Sequence, residues 1–145
     1  VTYVETRKRG LLYESYYISR ISPCTHVLKE VIKDTHFPNR MQIFAAFGRF
    51  TARLHEQGIL HADYSMGNIL FEPTAKGATF QLVDLNRMRF GQRINCRKGC
   101  RNFERIDTDS HALSTIARAY AQTRGYNEEE CVRLVLKMRW RKHKK

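Results

Sequence analysis

Acidic residues are scarce in this 145-residue chain: 14 Asp and Glu stand against 26 Lys and Arg, a formal charge of +12. That imbalance implies an anionic partner: nucleic acid, a phosphorylated sugar or lipid, or a membrane surface. Long apolar runs are also absent. No stretch approaches the roughly 20 residues that a membrane helix needs, and no signal-peptide pattern opens the chain, so the sequence reads as soluble and cytoplasmic. Val1 is not an initiator methionine, and the chain is therefore expected to be part of a longer one. Cysteine is sparse and scattered, at positions 24, 96, 100 and 131, and its one close pair is the Cys-x-x-x-Cys of CRKGC. A zinc site would want a second pair of Cys or His at ligand spacing, and none appears, so the thiols are read as reduced, structural or incidental rather than as metal ligands. There is no internal repeat and no low-complexity linker. With 42% hydrophobic and 11% aromatic residues, a single packed domain over residues 1–145 is expected.

What is present is a series of short elements that imply an α+β fold, mostly helical with small β-hairpins. VTYVETRKRGLLYESYYISRI predicts a hairpin, with β-rich runs Val1 to Glu5 and Leu11 to Ile21 around a basic turn. Thr25 is placed to cap a short helix whose apolar positions are Val27, Leu28, Val31 and Ile32. From Arg40 to Gln57, Phe44, Phe47, Thr51 and Leu54 recur at steps of three and four, with Ile43 and Phe50 on a flanking row. This predicts an amphipathic helix ended by Gly58. NILFE, the turn PTAKG and ATFQLVDL predict two paired strands. Residues 87–105 carry seven Arg or Lys against the single acid Glu104, without periodicity, and predict a basic loop. Two further helices are expected, one after a cap at Asp107 or Asp109 and one capped by Asn127. The second has acids in its first turn and ends in the basic tail RWRKHKK, read as a frayed helix end.

The segment LHEQGILHADYSMGNILFE places a short polar loop between the long helix and the first of the paired strands. Asp63 and Asn68 lie five residues apart in that loop, and Asp84 ends the next strand in QLVDLN. A hairpin running from Asn68 to Asp84 returns the chain beside its start, so three oxygen-bearing side chains can converge at one end. Two of them suit Mg²⁺, which takes hard oxygen ligands, and the third could accept a proton from a hydroxyl. Phosphoryl transfer needs that arrangement, because positioning and charge neutralisation supply most of its catalysis. Asp and Asn also occur in polar loops merely as turn formers. The surrounding Leu-His, Ile-Leu and second Asp favour the catalytic reading. His61 is read as buried and hydrogen-bonded, and His55 as a packing residue.

LHEQGILHADYSMGNIL followed by LVDLN resembles the catalytic loop and metal-binding segment of the protein-kinase-like superfamily, and within it the lipopolysaccharide kinases of the Kdo and heptose kinase group. The likeness runs from the opening hairpin to about Arg105. It implies a kinase-like large lobe from residue 22 to 145, with residues 1–21 a remnant of small-lobe strands and hinge and most of the small lobe absent. It implies that Asp63 is the catalytic base, that His61 organises the catalytic loop, and that Asn68 and Asp84 bind the Mg²⁺ of Mg²⁺-ATP. The implied reaction is ATP-dependent phosphorylation of an inner-core lipopolysaccharide sugar, Kdo or heptose, with peripheral contact at the cytoplasmic face of the inner membrane as an attendant expectation.

The departures from protein kinases are informative. Ala62 stands where they usually carry Arg, Ser65 where they tend to carry Lys, and Asn86 at the glycine of the Asp-Phe-Gly motif. The first two point away from a protein substrate. No Gly-x-Gly-x-x-Gly occurs, so the isolated chain is expected to be inactive. The alternative function is a non-catalytic pseudokinase or a basic module binding anionic glycolipid or nucleic acid. Nucleic acid is the least favoured, because no helix-turn-helix, zinc-finger or RNA-recognition signature is present.

Overall fold

The computed structural model describes residues 2–18 and 20–142. The chain opens as the expected hairpin, β1 (Thr2–Lys8) antiparallel to β2 (Leu11–Ile18), with Tyr16 opposite Val4. Its two-residue turn is Arg9–Gly10, both at positive φ (54° and 81°), the geometry whose twist matches that of paired strands. Val1 and Ser19, within the expected strands, lie outside the described residues.

Thr25 does not cap a helix. Its backbone N–H and hydroxyl both donate to the Glu72 carboxylate, at 3.0 and 2.7 Å, while His26–Val27 forms a short strand, β3. Helix α1 (Leu28–Lys33) starts only after it, and Leu28 and Val31 are buried. The long helix is as expected, α2 (Arg40–Glu56), with Ile43, Phe44, Phe47 and Thr51 on its buried side.

The next two strands are β5 (Ile69–Thr74) and β6 (Gly77–Leu82), after a two-residue strand β4 (Leu60–His61). The connecting turn is shorter than the sequence suggested, because Pro73 and Thr74 continue β5 and pair with Ala78 and Gly77. β3 adds to the other edge of β5, giving the order β3-β5-β6.

The basic segment is not a loop. It holds a 3₁₀ turn (Leu85–Arg87), the strand β7 (Met88–Arg89), helix α3 (Cys96–Arg101) and a second 3₁₀ turn (Asn102–Arg105). Asn95 caps α3 by accepting the Lys98 N–H at 2.9 Å. A helix this short spans fewer than two turns, so it leaves no periodic trace in the sequence.

Helices α4 (Ser110–Arg124) and α5 (Glu128–Lys142) complete the fold, capped by Asp109 and Asn127, whose side chains accept the Ala112 and Glu130 N–H groups. Residues 143–145 of the basic tail lie outside the described residues. No described helix is long and apolar enough to cross a membrane.

Phe47 is the hub of the core, its ring 5.6 Å from that of Tyr64, 5.7 Å from Phe80 and 6.0 Å from Phe103. One helix residue thereby joins the catalytic-loop candidate, the sheet and the second 3₁₀ turn. α2 crosses α4 closely at Gly48, where a Cβ would stand 2.4 Å from the Ile116 carbonyl oxygen. The same two helices are tied at their N-terminal ends. The buried Arg40 guanidinium donates to Asp109 at 2.7 Å, to Thr108 at 3.1 Å and to the Val31 carbonyl at 3.0 Å.

Candidate active site

The loop begins where α2 is forced to stop. Ile59 N–H donates to the Leu54 carbonyl at 2.9 Å and Gly58 N–H to that of His55 at 3.1 Å, with Gly58 at φ 70°. This paired closure satisfies the last helix carbonyls and turns the chain sharply, a conformation that glycine adopts without a Cβ penalty. The chain emerges as β4, pairs with β7 and is held again by Ala62 N–H on the Arg87 carbonyl at 2.9 Å.

His61 is buried and locked by two bonds. Its Nδ1 accepts the Asp63 backbone N–H at 3.1 Å, so its proton sits on Nε2, which donates to the Val83 carbonyl at 3.1 Å. Both ring nitrogens are thereby engaged, and His61 is buried and hydrogen-bonded, as expected from the sequence. Asn68 closes the loop from its other end: Nδ2 donates to the Asp63 carbonyl at 3.0 Å, and its own carbonyl accepts the Val83 N–H at 3.0 Å. Val83 is therefore bonded to both ends of the loop, and Asp84, the next residue, is carried to the same rim.

Asp84 adopts a left-handed backbone (φ 59°, ψ 52°) and is exposed. Among the described residues its carboxylate has no hydrogen-bond or ion-pair partner. Because Asn68 Nδ2 is committed within the loop, its Oδ1 remains available. An amide oxygen and an unpaired carboxylate form the hard donor set that Mg²⁺ selects, so the residues present fit that ion.

Residues outside the motif complete the site, and the sequence reading missed them. Arg105 forms a close ion pair through Nη1 with Oδ1 of Asp63, leaving Oδ2 unengaged. Asn102 donates from Nδ2 to the His61 carbonyl at 3.1 Å and accepts from His55 Nε2 at 3.0 Å. His55 Nδ1 in turn accepts the Tyr120 hydroxyl at 2.9 Å. Burial pushes His55 down to about 4 and the Tyr120 phenol upward, so both stay neutral in this chain of bonds. His55 is packed as expected, but it also connects α4 to the candidate catalytic loop. Gly99 makes room for the pair: a Cβ there would lie 1.9 Å from the Tyr120 hydroxyl. Tyr64, buried in the loop itself, anchors it to α2 through its hydroxyl on Thr51 Oγ1 at 2.8 Å.

A cleft of about 580 Å³ lies behind this network, lined by His55, Gln92, Arg93, Asn95 and Arg124 among others; none of Asp63, Asn68 and Asp84 lines it. The exposed basic side chains Arg87, Arg89, Arg93, Arg97 and Arg101 belong to the segment that supplies Asn102 and Arg105. The sequence alone signals the positive charge there, but not which members touch the loop.

A search of curated proteins finds no match to this chain. A family model does match, over residues 3–126, which extends the likeness past Arg105 and through α4. By that match the chain belongs to the lipopolysaccharide kinase (Kdo/WaaP) family.

Proposed function

We propose that this chain is the large-lobe portion of an ATP-dependent phosphotransferase that acts on a sugar hydroxyl of the lipopolysaccharide inner core, Kdo or heptose. In this reading residues 22–145 form the lobe, and residues 1–21 are the last small-lobe strands and the hinge. The observation that carries it is the double fastening of Val83 to His61 and Asn68, which sets Asp84 beside the loop holding Asp63.

The roles follow from which atoms remain uncommitted. Asp63 is the base: Arg105 orients its carboxylate through Oδ1, and Oδ2 is left to receive the proton of the acceptor hydroxyl. Asn68 Oδ1 and the Asp84 carboxylate hold Mg²⁺, which when bound neutralises charge on the ATP phosphates. His61 transfers no proton and keeps Asp63 and Val83 in register. The exposed arginines of residues 87–105 attract an acceptor that is itself anionic, in a salt-sensitive manner.

Transfer is tested with the product of the complete gene, radiolabelled ATP and an inner-core acceptor. Asp63→Asn lowers kcat by roughly 10²–10⁴-fold with little change in ATP binding. Equal turnover by the variant overturns the assignment. The 145 residues include no Gly-x-Gly-x-x-Gly to cover the triphosphate. Calorimetry on this chain alone is therefore expected to show weak Mg²⁺-ATP binding, with no measurable transfer, since misplacement by about 1 Å already costs roughly 10²-fold.

A further inference from the structure

Three of the four cysteines, far apart in the sequence, meet in space. Cys96 and Cys100 lie four residues apart on α3, hence on one face of it, and Cys131 lies in the first turn of α5. Their three sulfurs are all within 4.8 Å of one another, and Cys96 Sγ is 3.4 Å from Cys131 Sγ. Cys100 and Cys131 are fully buried and Cys96 is partly exposed, so the cluster has a closed floor and one approach from solvent.

We propose that Cys96, Cys100 and Cys131 form a three-thiolate site for one soft closed-shell cation, Cu⁺ or Zn²⁺. Three sulfurs bound at about 2.3 Å from one ion stand roughly 3.8–4.0 Å apart, so the trio reaches that geometry with side-chain shifts of about 1 Å. Thiolate is the ligand that selects these two ions over harder ones. The sequence reading dismissed a metal because it sought a second pair at short spacing; the third ligand instead comes from a separate helix 31 residues beyond Cys100.

The local charge agrees with this assignment. Three thiolates with a Cu⁺ or Zn²⁺ ion leave a net negative charge, which Arg97, Lys98 and Arg101 on the same helix offset.

The site also has a structural consequence. α3 runs directly into the 3₁₀ turn that carries Asn102 and Arg105, so an ion joining α3 to α5 holds both residues against the catalytic loop. The inference does not depend on the phosphotransfer reading, because its test measures metal binding.

The purified, reduced protein is titrated with Zn²⁺ and separately with Cu⁺ against competing chelators, and with Co²⁺ as a spectroscopic probe. The expected result is one ion per chain, with a thiolate-to-cobalt charge-transfer band and a raised Tm. Cys96→Ser, at the partly exposed position, is expected to lose more than the roughly 10–100-fold that removal of an outer-shell partner costs. It also abolishes the cobalt band, while Cys24→Ser behaves as wild type. Which of the two ions survives the chelator identifies the cation. Absence of stoichiometric binding by either ion, or Cys96→Ser binding as tightly as wild type, overturns the proposal.

Discussion

The β1–β2 hairpin and the loop from His61 to Asn68 are both short segments flanked by β-rich sequence, yet they end in opposite environments. In the hairpin, Leu11 is 75% exposed, Tyr13 62% and Leu12 57%; in the loop and the strand after it, Tyr64 is 1% exposed and Ile69 0%. The hairpin has a well-formed turn and pairs along its length, apart from one register shift between Thr6 and Arg7 that leaves Tyr13 unpaired. It lacks an opposing apolar surface among the described residues, and a lone two-stranded hairpin is marginally stable in water. The loop has little regular structure, but Phe47 packs beneath it and side-chain bonds from Asn68, Asn102 and Arg105 hold it from above. Pairing and burial are thus separate properties, and the functional geometry depends on burial.

The comparison predicts graded sensitivity to substitution. Asp84→Ala, at the rim of the loop, removes a proposed metal ligand. Metal stabilisation of a phosphoryl-transfer transition state is worth several kcal/mol, so turnover falls by roughly 10²–10³-fold. Unlike Asp63→Asn, it also weakens Mg²⁺-ATP binding. Calorimetry beside kinetics separates the two variants, and unchanged nucleotide affinity in Asp84→Ala would remove it from the metal site.

His55 makes the buried network sensitive to pH. Its folded pKa is about 4, below the ordinary 6.5, so the unfolded chain binds the proton more readily. Its contribution is fully present above about 6.5 and is lost as pH falls toward about 4, on the order of 3 kcal/mol across that window. Urea melts between pH 4 and 7 should show this slope, and His55→Gln should flatten it. A slope that persists in the variant would place the titration elsewhere.

Gly99→Ala tests the same network sterically. The new Cβ meets the Tyr120 hydroxyl at 1.9 Å, against which Tyr120 must move, and the expected loss is roughly 1–3 kcal/mol. The denaturation midpoint reports it. The hairpin should show the smallest effect: Leu12→Ser, already exposed, is expected to stay within about 0.5 kcal/mol. A loss as large as that of Gly99→Ala would mean that a surface covers the hairpin in solution, and the contrast between the two regions would fail.

Local signals made much of this legible from the residues alone. The apolar spacing of Phe44, Phe47 and Thr51 identified α2, Gly58 marked its end, and Asn127 marked the start of α5, because each acts through its own few neighbours. His-x-Asp, Asn68 and Asp84 could be grouped because a hairpin returns the chain over a predictable distance. Where a partner lies far along the chain, the sequence was silent or misleading. Thr25 resembled a cap, but Glu72, 47 residues away, captured it. Asn102 and Arg105 were lost in a run that looked like uniform charge, and Cys131 could not be joined to Cys96 and Cys100. Turns, caps and helical faces depend on dihedral preference and near-neighbour bonding, which sequence encodes directly. Contacts between α3, α5 and the loop from His61 to Asn68 exist only once the Phe47-centred core has packed and fixed their separations, and so the tertiary structure alone decided them.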